Sequence, residues 1–252
     1  MATIVSLHAH PDDEALLTGG WLARRAAAGD RVVIVFATDG GAGLASTGAR
    51  NGTTLGNRRR TEAKASARAL GAARVAWLGH SDSGMTGASS DLPDRFVDVP
   101  VERAARAVAA ILDEEDADLF TGYDANGGYG HPDHAHVHLV ARLAQQLATR
   151  PPRLLEATID RTWTVLLLRM VRPFRGLLPG VTIPGDNIFT ARSAQLLRVD
   201  VHDHLDEKLA ALAAHRTQAT GGVRTIRLLL ALPRPLARRV LGTEWFLEVP
   251  HD

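Results

Sequence analysis

Two short clusters carry the residues best suited to chemistry: His10-Pro11-Asp12-Asp13-Glu14 near the start of the chain and His131-Pro132-Asp133-His134 at its middle. Each sets imidazole beside carboxylate, and each has a proline where a helix would begin. Alone, the first cluster reads equally well as a capped helix start with Asp12 as a surface carboxylate. The second cluster changes that balance. If both lie at the ends of parallel strands, they converge on one point, and imidazoles plus a carboxylate with one position left to water form the donor set of a catalytic zinc site. Such a metal lowers the pKa of bound water towards about 7 and polarises a carbonyl oxygen. A carboxylate not used as a ligand can then take the proton. The chain has no cysteine, which excludes thiolate metal sites, disulfide scaffolds and thiol nucleophiles.

The elements that must position these clusters are legible over the first 160 residues. Apolar, β-rich runs alternate with Ala/Leu/Arg helical patterns, the signature of βαβ units and a mostly parallel sheet. Strands are expected at about 3–9, 31–37, 74–78, 118–122 and 153–159, and helices at 13–28, 57–70, 101–115 and 132–149. Three long Gly/Ser/Asp/Asn-rich connections, 39–56, 79–99 and 123–130, each follow a strand. They therefore open on the sheet's carboxyl edge, where open α/β folds bind ligands. Beyond residue 160 the pattern weakens to a short strand at 197–201, a helix at 202–218 and a last strand at 243–249. Arginine-bearing segments at 161–175 and 223–239 are expected to pack as a cap. The expected fold class is α/β, Rossmann-like, in one domain over 1–252, with the core in 1–160 and cap and closing elements in 161–252.

Leu7-His8-Ala9-His10-Pro11-Asp12-Asp13-Glu14, paired with Gly127-Gly128-Tyr129-Gly130-His131-Pro132-Asp133-His134, resembles the LmbE/PIG-L family of zinc-dependent N-deacetylases. Supporting matches are Thr38-Asp39-Gly40, Arg59 with Glu62, Leu78-Gly79 with Asp82-Ser83-Gly84-Met85, Leu205-Asp206-Glu207-Lys208 and His215-Arg216-Thr217-Gln218. The stretch from about 150 to 195 has no useful match. The resemblance implies His10, Asp13 and His134 as ligands of Zn2+, with Fe2+ as another candidate metal, and Asp12 as general base. It also implies His131 as the cationic or hydrogen-bonding group that steadies the oxyanion, Asp133 as its orienting partner, and Tyr129 as a donor to the substrate carbonyl and leaving amine. Arg59 and Asp82 would bind sugar hydroxyls, Arg59 lying between Arg58 and Arg60 in a run that also reads as a solvated helix start. The implied substrate is an N-acetylated sugar of GlcNAc type or a glycoconjugate. The run from Tyr123 to Gly130 is most similar to the members that act on glucosaminyl-inositol compounds or cleave mycothiol conjugates. An amidase for a larger conjugate and a non-catalytic sugar-binding protein on the same fold are the alternatives.

The bulk composition adds exclusions. With 29 basic and 28 acidic residues the net charge is +1, and few aromatics are available for stacking, so no nucleic-acid partner is expected. The N-terminus reads as a strand and not as a leader, giving a cytoplasmic expectation. The most apolar stretch, 163–183, is broken by arginine and proline well short of a spanning helix of about 20 residues, so no membrane span is expected. Oligomeric state stays open, an oligomer being compatible with the sequence.

Other polar residues take structural or supporting readings. His8 shares the strand face of His10 and reads as a satisfied core histidine. His138 shares the helix face of His134 and is placed to support the site, whereas His136 faces elsewhere. Glu14 orients a ligand or caps its helix, and His215 with Gln218 either lines the cleft or packs. Gly79-His80-Ser81-Asp82-Ser83 lacks the last glycine of a nucleophile elbow. The first strand is followed by His-Pro-Asp-Asp-Glu where a dinucleotide fold needs its glycines.

Overall fold

The computed structural model describes residues 1–41, 55–84, 93–159, 196–220 and 225–250. Valine-, isoleucine- and leucine-rich runs form β1 (Thr3–His8) and β2 (Arg31–Thr38), buried almost throughout. Such continuous apolar strands suit a sheet covered on both faces. With β3 (Arg74–His80), β4 (Leu119–Tyr123), β5 (Arg153–Thr158), β6 (Leu196–Asp200) and β7 (Thr243–Glu248) they make one sheet in the order β3-β2-β1-β4-β5-β7-β6. The first five strands are parallel. The last two are antiparallel closing strands, β7 pairing with both β5 and β6.

Helices α1 (Asp13–Leu17), α2 (Gly19–Ala27) and α3 (Leu55–Ala69) belong to crossovers that run from β1 outwards to β3. Helices α4 (Val101–Glu114) and α6 (Pro132–Leu147), the latter preceded by the single turn α5 (Gly127–Gly130), belong to crossovers running the other way. Right-handed connection places the two groups on opposite faces. Packing follows this division: α4 lies against α6, while α1, α2 and α3 lie against α7 (Leu205–Ala214). The strand order reverses between β1 and β4, so the carboxyl ends of those two strands flank the crevice where such folds bind ligands. Both histidine clusters follow these two strands. Gly122 brings α6 close to β4, since a Cβ there would lie 2.7 Å from Ala141 Cβ.

The structure departs from the sequence reading in three elements. The helix expected over 13–28 breaks at Thr18 (φ −132°), because Gly20 N and Trp21 N at the start of α2 each donate to the Glu244 carboxylate at 2.8 Å. That carboxylate also accepts from Lys208 Nζ at 2.6 Å. The helix expected over 202–218 is divided into a 3-10 turn, His202–His204, then α7 and α8 (Arg216–Thr220), with His215 out of helical geometry at the second break. Strand β3 runs two residues further than expected, to His80.

After residue 225, α9 (Thr225–Leu230) packs on α7, and α10 (Arg234–Leu241) packs on β7. Much of the expected cap, residues 161–195, lies outside the described residues, as does the apolar stretch 163–183. Among the described residues no helix is long and apolar enough to cross a membrane.

Candidate active site

Strand β1 ends at His8, and the chain turns through His10, Pro11 and Asp12 before α1 begins at Asp13. Pro11 therefore precedes the helix instead of opening it. Asp12 has φ 113°, a conformation in which an L-residue cannot continue a helix. The turn is closed by His10 N, which donates to Asp13 Oδ2 at 2.9 Å. The second cluster behaves as its sequence suggests: His131 caps α6, Pro132 occupies the first helical turn, and His131 Nδ1 accepts from Asp133 N at 3.2 Å. His134 follows one residue later. His10, Asp13, His131, Asp133 and His134 are all buried.

The two clusters meet. Ring centroids lie 4.5 Å apart for His10 and His131, 5.4 Å for His10 and His134, and 5.3 Å for His131 and His134. Asp13 Oδ2 stands 3.4 Å from His10 Nδ1 and 3.2 Å from His134 Nε2. Tetrahedral coordination with bonds of ~2.0–2.1 Å sets neighbouring ligand atoms about 3.3 Å apart, and the two distances from Asp13 match that spacing. Among the described residues, two donor groups are compact enough for a metal, and they share His10 and His131: one adds His134, the other Asp82 and Asp133.

The electrostatics make the same demand for a cation. Burial works against a charge on His10, but hydrogen bonding to Asp13, Asp133 and Asp82 raises its pKa well above the usual imidazole value. Three carboxylates thus surround one ring, Asp13 at Nδ1 and Asp133 and Asp82 at Nε2, and favour its protonated form. Burial alone would raise Asp13, yet His134 and His10 hold it well below the carboxylate range. Burial, reinforced by the Asp13 charge, pushes Asp12 up to about 6. Burial, with His10 and His134 nearby, lowers His131 to about 4. A neutral His131 whose Nδ1 accepts from the Asp133 amide carries its proton on Nε2.

The other expected residues take more varied positions. The Asp133 carboxylate, expected to orient His131, instead accepts from His10 Nε2 at 2.9 Å and from Ser83 N at 3.0 Å. Asp82 also turns to His10, with Oδ1 3.3 Å from Nε2. Of the three neighbouring arginines, Arg59 is the fully buried one; it donates to Gly40 O, while its Nε and Nη2 have no hydrogen-bond partner among the described residues. Arg60 lies over the Trp77 ring instead. The backbone of Tyr129 falls in α5, and its side chain lies outside what the structure describes.

His8 is the satisfied core histidine the sequence suggests. Its Nε2 lies 2.7 Å from Ser6 Oγ and its Nδ1 3.0 Å from Tyr123 Oη, and burial lowers its pKa to about 4. Tyr123 in turn packs on His134, with centroids 4.6 Å apart. His138 turns from the cluster to Glu156, and His136 packs edge-on against Phe96. The sequence left Glu14, His215 and Gln218 unresolved, and these join the cluster directly. Glu14 Oε2 accepts from Asp12 N at 2.9 Å, Glu14 Oε1 pairs with His215 Nε2 at 2.6 Å, and Gln218 Nε2 donates to Asp12 Oδ2 at 2.7 Å.

Comparison with known proteins agrees with this architecture. A 1D-myo-inositol 2-acetamido-2-deoxy-alpha-D-glucopyranoside deacetylase from Saccharomonospora viridis is 36% identical over 259 residues, covering 96% of this chain and 92% of its own. Two solved structures share the fold. The N,N'-diacetylchitobiose deacetylase of Pyrococcus horikoshii is 21% identical with a TM-score of 0.62, covering 99% of this chain and 84% of its own. GalB, the 4-carboxy-2-hydroxymuconate hydratase of Pseudomonas putida KT2440, is 17% identical with a TM-score of 0.63, covering 100% and 98%. A hydratase and a deacetylase on one fold place the burden of function on the site. Residues 5–145, which contain both histidine clusters, match the family described as PIG-L: GlcNAc-PI de-N-acetylase, and the chain belongs to that family.

Proposed function

We propose that the protein hydrolyses the N-acyl amide, chiefly an N-acetyl group, of a GlcNAc-type amino sugar on a small molecule or glycoconjugate, with His10, Asp13 and His134 holding a divalent metal. The observation that carries this reading is the meeting of two His/Asp clusters at the β1/β4 switch point, with Asp12 left over as an unliganded carboxylate. Zinc suits the two-nitrogen, one-oxygen donor set, Fe2+ less specifically, and when bound it supplies a Lewis acid and a water of lowered pKa.

The protein's own groups divide the remaining work. Asp12, adjacent in sequence to Asp13, takes the proton of the attacking water and returns it to the leaving amine. His131, with its proton on Nε2, donates to the oxygen on which negative charge develops, an interaction that strengthens in the transition state. Tyr129 supplies a second donor to the carbonyl or the departing nitrogen. Asp133 and Asp82 hold His10 from its far nitrogen. Arg59 offers two buried donors, Nε and Nη2, to sugar hydroxyls, and Asp82 retains Oδ2 for the same purpose. The choice of an N-acetylglucosaminyl substrate is supported by the compound named for the 36%-identical relative.

The test is release of acetate and free amine from a panel of N-acetylated sugars, N-acetylglucosaminyl-inositol among them, by the zinc-loaded protein, the metal-stripped protein and Asp12→Ala. The reading requires turnover that depends on both metal and Asp12. Full activity in Asp12→Ala, or failure to bind any divalent metal, removes the mechanism. Sugar affinity without turnover in any metal form would make the protein a binding module.

A further inference from the structure

The C-terminal part of the chain reaches back to the proposed base. Gln218 lies 206 positions from Asp12, yet its Nε2 donates to Asp12 Oδ2 at 2.7 Å. This contact closes a ring. Asp12 N donates to Glu14 Oε2 at 2.9 Å, Glu14 Oε1 pairs with His215 Nε2 at 2.6 Å, and Gln218 N donates to His215 O at 3.2 Å. Two anchors hold the ring to the body of the protein. Ser66 Oγ donates to Glu14 Oε1, and Thr217 gives both N and Oγ1 to Glu62 on α3, at 3.0 and 2.6 Å. His215 and Glu14 are fully buried, so the backbone that presents Gln218 is set by a buried pair and not by solvent.

We infer that Gln218 is a positioning residue that fixes the rotation of the Asp12 carboxylate, aiming Oδ1 at the attacking water, an assignment that rests on reading Asp12 as the general base. Asp12 needs outside help of this kind. Its backbone is held at φ 113° and its side chain makes no capping bond to α1, so the local turn leaves the carboxylate free to rotate. With Oδ2 engaged by Gln218, Oδ1 has no partner among the described residues and is the oxygen available for proton transfer. The chemical type of the donor fits the task. A Lys or Arg at this point would hold the carboxylate by charge and weaken it as a base, whereas a neutral amide orients it at little cost in basicity. Misplacement of a reacting group by about 1 Å lowers turnover on the order of 10²-fold.

The experiment measures kcat, KM, metal affinity and the thermal midpoint of the metal-free protein for Gln218→Met, which keeps the side-chain length and removes the donor. The substrate is the panel compound that the wild-type protein deacetylates fastest. The expected result is a fall of about 10²-fold in kcat, with KM and metal Kd within about twofold and an unchanged midpoint. In an Asp12→Asn background the same substitution should cost nothing further, since the partner it orients is gone. If Gln218→Met does not fold, Gln218→Ala takes its place with the same expectations. Wild-type kcat in Gln218→Met beside an inactive Asp12→Asn overturns the role of Gln218 and leaves Asp12 as base. A loss that adds to that of Asp12→Asn also overturns it. Full turnover by Asp12→Asn removes the base assignment itself, and the role of Gln218 with it.

Discussion

Asp133 accepts a hydrogen bond from His10 Nε2 at 2.9 Å, across 123 positions of sequence, while His10 Nδ1 faces Asp13 Oδ2 at 3.4 Å. One nitrogen is thus held from behind by a carboxylate and the other presented to the donor cluster. A metal-binding histidine is commonly fixed in this way, the rear carboxylate setting both tautomer and ring orientation.

Asp133→Asn is therefore expected to weaken metal binding by about 10–100-fold, read by competition with a chromophoric chelator. Its backbone amide would still donate to His131 Nδ1, so the cap of α6 survives. A variant with unchanged metal affinity and a lowered kcat would show instead that Asp133 acts through His131.

His131 and His134 lie three residues apart on one helix start, but they should fail differently when removed. His131→Ala is expected to keep its metal and lose roughly 10²–10³-fold in kcat, the usual cost of one oxyanion donor. His134→Ala is expected to lose the metal itself. Metal content by atomic absorption beside steady-state kinetics separates the two, and equal metal loss in both variants would place His131 among the ligands.

Much of this site was legible because its signals are local. A strand followed by His-Pro-Asp-Asp, and a glycine-rich loop followed by His-Pro-Asp-His, each announce a turn over a sheet edge, and the alternation of strands and helices brings those edges together. The orientation of Asp133 was not legible. Its adjacency to His131 suggested a partner two residues away, whereas the first turn of α6 directs the carboxylate across the crevice to His10. The link from Gln218 to Asp12 had no local signal, because it depends on where α7 ends and α8 begins. The break of the first helix at Thr18 was also hidden, since its cap, Glu244, comes from the last strand.

Glu244 joins three elements: it accepts from the amides of Gly20 and Trp21 at the start of α2 and from Lys208 on α7, and both charged side chains are only 2% exposed. Removing one partner of a buried pair strands the other charge in the interior. Glu244→Ala is accordingly expected to destabilise the fold by about 3–5 kcal/mol, a fall of roughly 10 °C in the thermal midpoint for a chain of this size. Lys208→Met combined with Glu244→Leu should recover only the part of the loss that comes from the stranded lysine charge, because the amides of Gly20 and Trp21 still lack their acceptor. Calorimetry of the three proteins checks both statements.

His138 offers a pH-dependent contribution that lies outside the donor cluster. Its Nδ1 sits 3.0 Å from Glu156 Oε1, which Arg142 Nε also reaches at 2.8 Å, and the bond to Glu156 raises the His138 pKa above 6.5 despite partial burial. A histidine whose folded value exceeds its unfolded one stabilises the fold fully below the unfolded value, and this contribution disappears as pH rises through the folded value. Glu156 runs in the opposite sense: burial alone would raise it, but His138 and Arg142 lower it, so its contribution is present above 4.5 and lost as pH falls through its folded value. Between these limits, near pH 6, the pair contributes most. The stability difference between wild type and His138→Gln, measured by urea unfolding of the metal-free proteins, should accordingly be larger at pH 6 than at pH 9. A difference that stays level or grows with pH would mean that His138 is held by packing and by the Tyr123 carbonyl, 3.1 Å from Nδ1, and not by its charge.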